Sequence, residues 1–306
     1  MQKYFISIVL LLLMVSCQSP EPIEPNSQTQ EPATLSLKIA GSELSGELST
    51  EDIIAIQIYS YDDSGVKSAY AYGLYDNFSI GDIVLVKGAE YSIEASYVCD
   101  AKNRLYSTAA GKYYAPFGLY PNSTTAITNA FVTSTYYLYG LMSGECKLKS
   151  GSSSVEYSRG LLERYAGDTG VFTAGENTEI SLSLNRVYTT LRLNAEGVSS
   201  GTITLVIEDS EPIEYSVGQG SCDYVLSLGG TTPSSIDWAQ DGYSEEVSYE
   251  LYYDSGDGAA QMVSSGVIGL VRSTVLPVNV VFNSSDIDFD IEDSEMDILS
   301  PFDIVI

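Results

Sequence analysis

The sequence contains no histidine, and this absence excludes several kinds of chemistry. None of its 306 residues is a histidine, so neither a Ser-His-Asp triad nor a Cys-His pair can form within the chain. The usual zinc sites are disfavoured for the same reason. The phosphate-binding and dinucleotide-binding glycine motifs are missing as well. Carboxylate pairs arise by chance in so acidic a chain and mark no site, so we expect no enzyme, no cofactor and no metal.

Basic residues are scarce. The chain has 14 lysines and arginines against 41 aspartates and glutamates, a formal net charge of −27. Nucleic acid binding needs a basic face that neutralises phosphates. No nucleic acid partner is therefore expected. The acidic residues are interpreted as a solvated surface rather than as a specific site.

Cysteine is also rare. The four cysteines are Cys17, Cys99, Cys146 and Cys222, and no two of them form a C-x-x-C motif. The last three permit at most one intrachain disulfide, and their spacing does not select its members. Free cysteines that pack as small apolar residues remain the alternative.

A single long apolar run lies at the start of the chain. It extends from Tyr4 to Val15, interrupted only by Ser7, and follows Lys3. This run is too short to span a bilayer, and it is typical of a secretory signal peptide over residues 1–16. The sequence Met-Val-Ser-Cys that ends at Cys17 resembles a bacterial lipobox, which implies acylation of Cys17. An ordinary signal peptide with a chance cysteine is the alternative.

Residues 17–33 form a predicted tether. Four prolines lie among serine, glutamine, asparagine and glutamate in this stretch. Such a composition favours extended conformations and cannot bury a core. We therefore expect a lipid-anchored protein of the cell outer membrane, exposed at the surface, whose folded part begins near residue 34.

The remainder of the chain alternates apolar and polar residues with a period of two. The runs are rich in Ile, Val, Tyr and Thr and are bounded by Gly, Asn, Asp and Ser, a pattern typical of strands joined by hairpins. The fold class is therefore all-β, with antiparallel sheets expected in the first half. The predicted strands cover 34–39, 52–61, 67–75, 78–86, 90–98, 130–139, 179–194, 202–208, 213–217, 224–228, 247–253, 262–271 and 273–282.

Two β-sandwich domains account for this number of strands. The run 179–194 is long for one strand, so we expect it to bend or to bridge two domains near Arg186. The predicted domains cover residues 34–178 and 179–306. Residues 159–165 hold the one predicted helical turn.

Two segments carry a resemblance to a known family. They read AYAYGLYDNFSIGDIVLVKGAEYSIEAS (69–96) and ERYAGDTGVFTAGENTEISLSLNRVYTTLRLNAEG (163–197). Together with the lipobox and tether, they resemble the Bacteroidales fimbrillin superfamily of FimA/Mfa-like surface lipoproteins. The resemblance implies two transthyretin-like sandwiches and a structural or accessory role in surface fimbriae and adhesion. It also implies that fimbrial partners are joined by strand addition.

The sequence departs from that family where proteolytic maturation would be expected. Stalk subunits of the family lose their first strand after cleavage at arginine or lysine. Here no arginine precedes Arg104, and Lys38 lies inside the first predicted strand. Lys38 is the candidate maturation site, with a plain outward-facing strand residue as the alternative. This departure favours an anchor, accessory or tip subunit over a polymerising stalk.

Tyrosine is unusually abundant, at 24 residues against one tryptophan. Most of these tyrosines suit half-buried strand positions. The irregular stretch 107–122 is where we expect an exposed aromatic surface, formed by Tyr113, Tyr114, Phe117 and Tyr120. The alternative function is therefore a monomeric surface lipoprotein that binds glycan or a protein receptor through exposed tyrosines.

The carboxyl-terminal residues 301–306 are apolar apart from Asp303. They are predicted either to complete a sheet of their own domain or to add a strand to a partner's sheet.

Overall fold

A computed structural model describes residues 31–41, 49–77, 79–120, 123–141, 146–149, 156–157, 159–229, 242–282, 287–291, 294–295 and 302–304. Strands dominate these residues, which confirms the all-β fold class. The predicted signal peptide, Cys17 and nearly all of the tether lie outside the described residues. No helix in the described part of the chain is long and apolar enough to cross a membrane.

Twelve strands and one short helix precede residue 177. They are β1 (Pro32–Gly41), β2 (Ile53–Tyr61), β3 (Lys67–Tyr75), β4 (Ile83–Val86), β5 (Glu90–Val98), α1 (Ala101–Arg104), β6 (Lys112–Tyr113), β7 (Thr125–Ala126), β8 (Val132–Thr133), β9 (Cys146–Lys147), β10 (Glu156–Tyr157), β11 (Arg164–Asp168) and β12 (Phe172–Thr173).

Twelve more strands follow. They are β13 (Asn177–Ser183), β14 (Asn185–Arg186), β15 (Tyr188–Glu196), β16 (Thr202–Ile207), β17 (Ile213–Ser216), β18 (Cys222–Ser227), β19 (Ser244–Asp254), β20 (Gln261–Val271), β21 (Thr274–Phe282), β22 (Ile287–Ile291), β23 (Ser294–Glu295) and β24 (Phe302–Ile304).

The first sheet is built around β1. On one edge β1 pairs in parallel with β13, from Thr34 opposite Asn177 to Ala40 opposite Ser183. Its other edge is divided between β4, which pairs with the beginning of β1, and β24, which pairs with its end, both antiparallel. The expectation of purely antiparallel sheets in the first half is therefore wrong for β1. The carboxyl-terminal strand β24 pairs within its own chain, with the first strand.

The second sheet has the order β14-β11-β5-β2-β3-β8, with β12 also paired to β5. One of its faces packs on the first sheet, where Leu35, Leu37 and Ile39 of β1 meet Ile56 and Ile93. Strand alternation is exact on β1, whose odd-numbered residues from Ala33 to Ile39 are all buried. The period-two pattern thus places these side chains in a shared core.

The opposite face of the second sheet is covered too. Ile53, Ala55 and Leu74 on this face contact apolar residues of the long stretch between β5 and β11, among them Leu105 and Phe117. Because both faces are buried, β2 reads as a continuous apolar run instead of an alternating one. The irregular segment therefore serves as a third layer over the sheet.

Two further sheets enclose a separate core after residue 188. One has the order β18-β15-β21-β22, with β23 paired to β21, and the other has the order β17-β16-β19-β20. Leu191, Ile203, Leu251, Ile268 and Val278 are buried between them. Strands β15 and β21 run parallel, and the remaining pairs of these sheets are antiparallel.

The long predicted strand 179–194 is divided, as expected, around Arg186. Strand β13 belongs to the first sheet, β14 to the second and β15 to the third. The predicted helical turn over 159–165 is wrong, since Arg164 and Tyr165 lie in β11 and α1 is the helix found. The division into domains at residue 178 stays a prediction. Cys99, Cys146 and Cys222 form no disulfide bond among the described residues.

Truncation of Leu35 tests the role of β1 in the first core. Leu35 is 1% exposed, so Leu35→Ala is expected to lower the free energy of unfolding by about 2–5 kcal/mol through lost burial and a cavity. Thr34→Ala, at the adjacent exposed position, serves as the control and should change it by less than about 0.5 kcal/mol. Urea unfolding measures both, and equal small effects would contradict the core position of β1.

Candidate functional site

The first candidate site is β1 itself, because this strand follows directly on the predicted tether. Its backbone pairs with β13 from Thr34 to Ala40 on one edge. On the other edge it pairs with β4 up to Leu35 and with β24 from Ile39 onward, so no described strand pairs with residues 36–38 there. Ser36, on the solvent side, donates a hydrogen bond to Asp82 at 3.2 Å. A strand in this position has the backbone pairing and the row of apolar side chains that strand addition uses. Removal of β1 would leave β13 with an unpaired edge above an open apolar core.

Lys38 lies in β1 opposite Ser181 and between the buried Leu37 and Ile39. Its side chain is half-buried. A protease must hold several residues around its cleavage site in an extended, accessible conformation. Here the backbone at Lys38 is already paired with β13. Cleavage at Lys38 therefore requires β1 to leave the sheet first. The proposed maturation at this lysine stays a prediction.

The aromatic residues predicted to share a surface are separated by the structure. Phe117 is fully buried and Tyr113 is 6% exposed, so the prediction of an exposed surface is wrong for both. They pack against the outer face of the second sheet, whose apolar side chains must be covered. Tyr114 is half-buried and Tyr120 is exposed. Sequence reasoning missed that this sheet is covered on both faces.

Tyr120 instead joins two tyrosines from farther along the chain. The tyrosine cluster comprises Tyr120, Tyr136 and Tyr137, which are 37%, 53% and 38% exposed. The ring of Tyr120 meets the other two edge to face, with centroids 5.2 and 5.1 Å apart. Such pairs stabilise a fixed arrangement of rings. Of the strand predicted over 130–139, only Val132–Thr133 forms. The available signal was the pair of adjacent tyrosines Tyr136 and Tyr137, which in a strand would point to opposite faces.

A buried glutamine holds the base of the tyrosine cluster. Gln57 of β2 is inaccessible, and its Oε1 accepts a hydrogen bond from the N–H of Leu138 at 2.8 Å. Its Nε2 donates to the carbonyls of Ile58 and Ala71. Because Leu138 directly follows Tyr137 and is itself buried, the segment that carries the two tyrosines is fixed to the second sheet.

A second aromatic pair lies near the start of the irregular stretch. The rings of Tyr106 and Tyr114 have centroids 5.1 Å apart. The Nζ of Lys147 lies 4.8 Å from the Tyr114 ring centroid, a distance typical of a cation–π contact. Tyr114 is thus engaged within the protein and offers less free surface than the tyrosine cluster.

One neighbouring tyrosine has a strongly altered ionisation. Burial, and next the negative charge of Glu94, raise the pKa of Tyr59 far above its usual value. Its hydroxyl donates a hydrogen bond to Glu94 at 3.0 Å, and the Nζ of Lys67 lies 3.9 Å from its ring centroid. Tyr59 therefore stays neutral and serves as a structural donor rather than as an acid or base.

Limited proteolysis tests the closed state of β1. Trypsin is expected to cut after Lys112, which is exposed beside a turn, before it cuts after Lys38, whose backbone is held in the sheet. The core variant Leu35→Ala loosens β1 and should speed cleavage at Lys38. Mass spectrometry of the timed digest gives the order, and a first cut at Lys38 in the unaltered protein would contradict the closed state.

Comparisons with known proteins give structural likenesses alone. No protein-family model and no curated protein matches the chain. Among solved structures, it is similar to the fimbrial anchor protein Mfa2 of Porphyromonas gingivalis, with 10% identity and a TM-score of 0.42, over 88% of this chain and 100% of that one. It is also similar to the tip fimbrial protein Mfa3 of the same organism, with 10% identity and a TM-score of 0.34, over 87% and 100%.

A candidate cell adhesion protein from Bacteroides eggerthii is similar at 12% identity and a TM-score of 0.40, over 87% of this chain and 96% of that one. These three solved structures are thus two fimbrial proteins of Porphyromonas gingivalis and a candidate cell adhesion protein of Bacteroides eggerthii.

Proposed function

We propose that this chain is a fimbrillin-like surface lipoprotein, a non-catalytic structural or accessory subunit of fimbriae that serves adhesion. Acylated Cys17 holds it to the outer membrane, and the proline-rich tether sets the folded part away from the bilayer. The observation that carries the proposal is the position of β1. A strand that begins at the tether is built into the centre of a sheet.

That position favours an anchor or accessory subunit over a trimmed stalk subunit. The first strand lies between β13 on one edge and β4 and β24 on the other, and the one lysine within it is paired with β13. A subunit that keeps its first strand remains continuous with its lipid anchor, whereas cleavage at Lys38 would release it. Its fimbrial partners would then add a strand to an edge elsewhere, where main-chain bonds give affinity and side chains give register.

The tyrosine cluster supports a second candidate function. A monomeric surface lipoprotein could bind glycan or a protein receptor through Tyr120, Tyr136 and Tyr137, because tyrosine combines apolar area with a polar tip. The mutual ring contacts already fix these side chains, so little conformational entropy remains to be lost on binding.

Substitution of Cys17 tests the anchor. Cys17→Ser removes the thiol that carries the acyl chains, so the protein should move from the membrane fraction to the soluble fraction. Cys222→Ser, on a half-buried strand residue, is the matched control and should stay with the membrane. Membrane fractionation of cells grown with a labelled fatty acid measures the location and the acylation of both variants. A membrane-bound Cys17→Ser protein would refute the lipid anchor.

Deletion of the chain from its host separates the two candidate functions. A fimbrial subunit is expected to change the number, length or attachment of fimbriae in electron micrographs, and the intact gene should restore them. The double variant Tyr136→Ala/Tyr137→Ala should leave fimbriae normal, since both rings are exposed and their loss spares the core. If it abolishes adhesion while deletion leaves fimbriae unaltered, the monomeric receptor binder replaces the fimbrial subunit.

A further inference from the structure

A cleft of about 520 Å³ lies where the second sheet approaches the third and fourth sheets. One wall comes from the end of β5, from α1 and from the residues that lead into β11. The other comes from the residues before β17 and from β18. This volume is within the range of small-molecule sites. Neither the fimbrial proposal nor the tyrosine cluster uses it.

The walls of the cleft are joined by direct hydrogen bonds. The N–H of Ser227 donates to the carbonyl of Gly160 at 2.9 Å, and its Oγ donates to the carbonyl of Leu162 at 3.0 Å. The N–H of Arg159 donates to the carbonyl of Asp209 at 3.0 Å. Ser227 is buried. The cleft is therefore formed before any ligand arrives, which limits the entropic cost of binding.

Two charged side chains of the cleft lack a partner in the described part of the chain. No hydrogen bond or ion pair within 4 Å joins the guanidinium of Arg104 to any described residue, and the carboxylate of Glu211 is likewise unbound. Both are half-buried. A polar ligand gains most binding free energy from charged groups that are partly desolvated and lack a partner.

The other three carboxylates of the cleft, those of Asp100, Asp223 and Glu163, each accept a hydrogen bond from the protein. Asn103 donates to Asp100 Oδ1 at 2.7 Å. Arg192 binds Asp223 with two hydrogen bonds, Nε to Oδ1 at 2.7 Å and Nη2 to Oδ2 at 2.8 Å, and this donation lowers the pKa of the Asp223 carboxyl. Glu163 accepts from Tyr165 and Cys99 through Oε2. Its Oε1 has no protein donor among the described residues and remains available to a ligand.

A buried polar chain fixes Glu163. Tyr165 also shares a hydrogen bond with Tyr188 at 3.2 Å between their hydroxyls. Burial, and next the charge of Glu163, raise the pKa of Tyr188 to about 12, and the same two causes raise the pKa of the Cys99 thiol above its usual value. The Tyr188 hydroxyl and the Cys99 thiol therefore stay protonated and add no negative charge beside the Glu163 carboxylate that they help to orient.

The apolar part of the lining is equally fixed. The hydroxyl of Tyr224 donates to the carbonyl of Glu214 at 2.8 Å, so the orientation of its ring is set. Leu161, Pro212 and Val225 add apolar surface beside it. A fixed aromatic ring among apolar side chains suits a ligand that has C–H faces as well as polar edges.

From these groups we infer that the cleft binds a neutral saccharide of one or two units. Sugar hydroxyls both donate and accept, so one ligand can donate to Glu163 and Glu211 and accept from Arg104. An anion would satisfy Arg104 but would face the four carboxylates of the lining, those of Asp100, Glu163, Glu211 and Asp223. A cation would pair with the carboxylates but would leave the guanidinium without an acceptor. The C–H face of the pyranose ring packs on the ring of Tyr224.

Saturation-transfer NMR on the mature chain tests the inference. The protein is kept in a detergent without a sugar headgroup, and the probes are lactose, maltose, cellobiose and N,N′-diacetylchitobiose. At least one of these neutral disaccharides is expected to receive saturation, with a competitive and saturable signal. Glucuronate and lysine methyl ester serve as the anionic and cationic probes, and neither should compete.

Variants locate the binding in the cleft. Arg104→Gln and Glu211→Gln are each expected to weaken binding of the positive probe about tenfold, the loss of one hydrogen bond to a charged group. Lys112→Gln and Glu90→Gln, which change the same charges at exposed positions away from the cleft, should leave binding unchanged. Thermal unfolding is expected to be alike for all four, since none of these side chains makes a structural hydrogen bond or ion pair to a described residue.

Three results would overturn the inference. In the first, no neutral disaccharide receives saturation at millimolar concentration. In the second, Arg104→Gln and Glu211→Gln bind as well as the controls. In the third, the anionic or cationic probe binds in preference to the sugars. None of these results bears on the fimbrial proposal, which is tested by fractionation and micrographs.

Discussion

The parallel pairing of β1 with β13 is the constraint on which the first core depends. Parallel neighbours cannot be joined by a tight turn, and every strand of the second sheet except β14 lies between these two strands in sequence, together with the covering layer. The buried side chains of β1 are therefore far in sequence from many of their partners in the core. The first core is thus closed by its earliest strand, and contacts so distant in sequence are slow to form.

Much of the strand content could be predicted from alternation alone. The pattern is clear on β1, β16 and β17, because one face of each strand lies in a core shared between two sheets. The pairing partners could not be read in this way. Alternation is a property of one segment, whereas the parallel register of Thr34 with Asn177 depends on how residues far apart in the sequence meet.

The candidate site was predicted less well for a related reason. Tyr113 and Phe117 lie in an irregular, glycine-containing and proline-containing stretch, which normally indicates a surface loop. The run of apolar residues at the start of β2 indicates instead a strand that is buried on both faces. Such a strand requires another layer of residues over its second face. Read together, these two segments would have placed Phe117 inside and left Tyr120 at the surface.

Buried arginines bind polar groups within the first half of the fold and between its two halves. Arg164 is 1% exposed, and it donates from Nε to Ser96 at 2.9 Å and from Nη2 to the carbonyl of Leu141 at 3.0 Å. Burial lowers its pKa to about 10, which still leaves it charged at neutral pH. Arg159 pairs with Glu245 of β19. These donors satisfy carbonyls and a carboxylate that would otherwise be costly to bury.

The position of β1 also determines how the protein responds to tension. A pull directed along β1 from its amino-terminal end acts parallel to the strand, while the hydrogen bonds of the sheet lie roughly across it. The seven register pairs between β1 and β13 then carry the load together in shear and are not opened one after another. Strand β1 is therefore placed where the sheet resists mechanical extraction best.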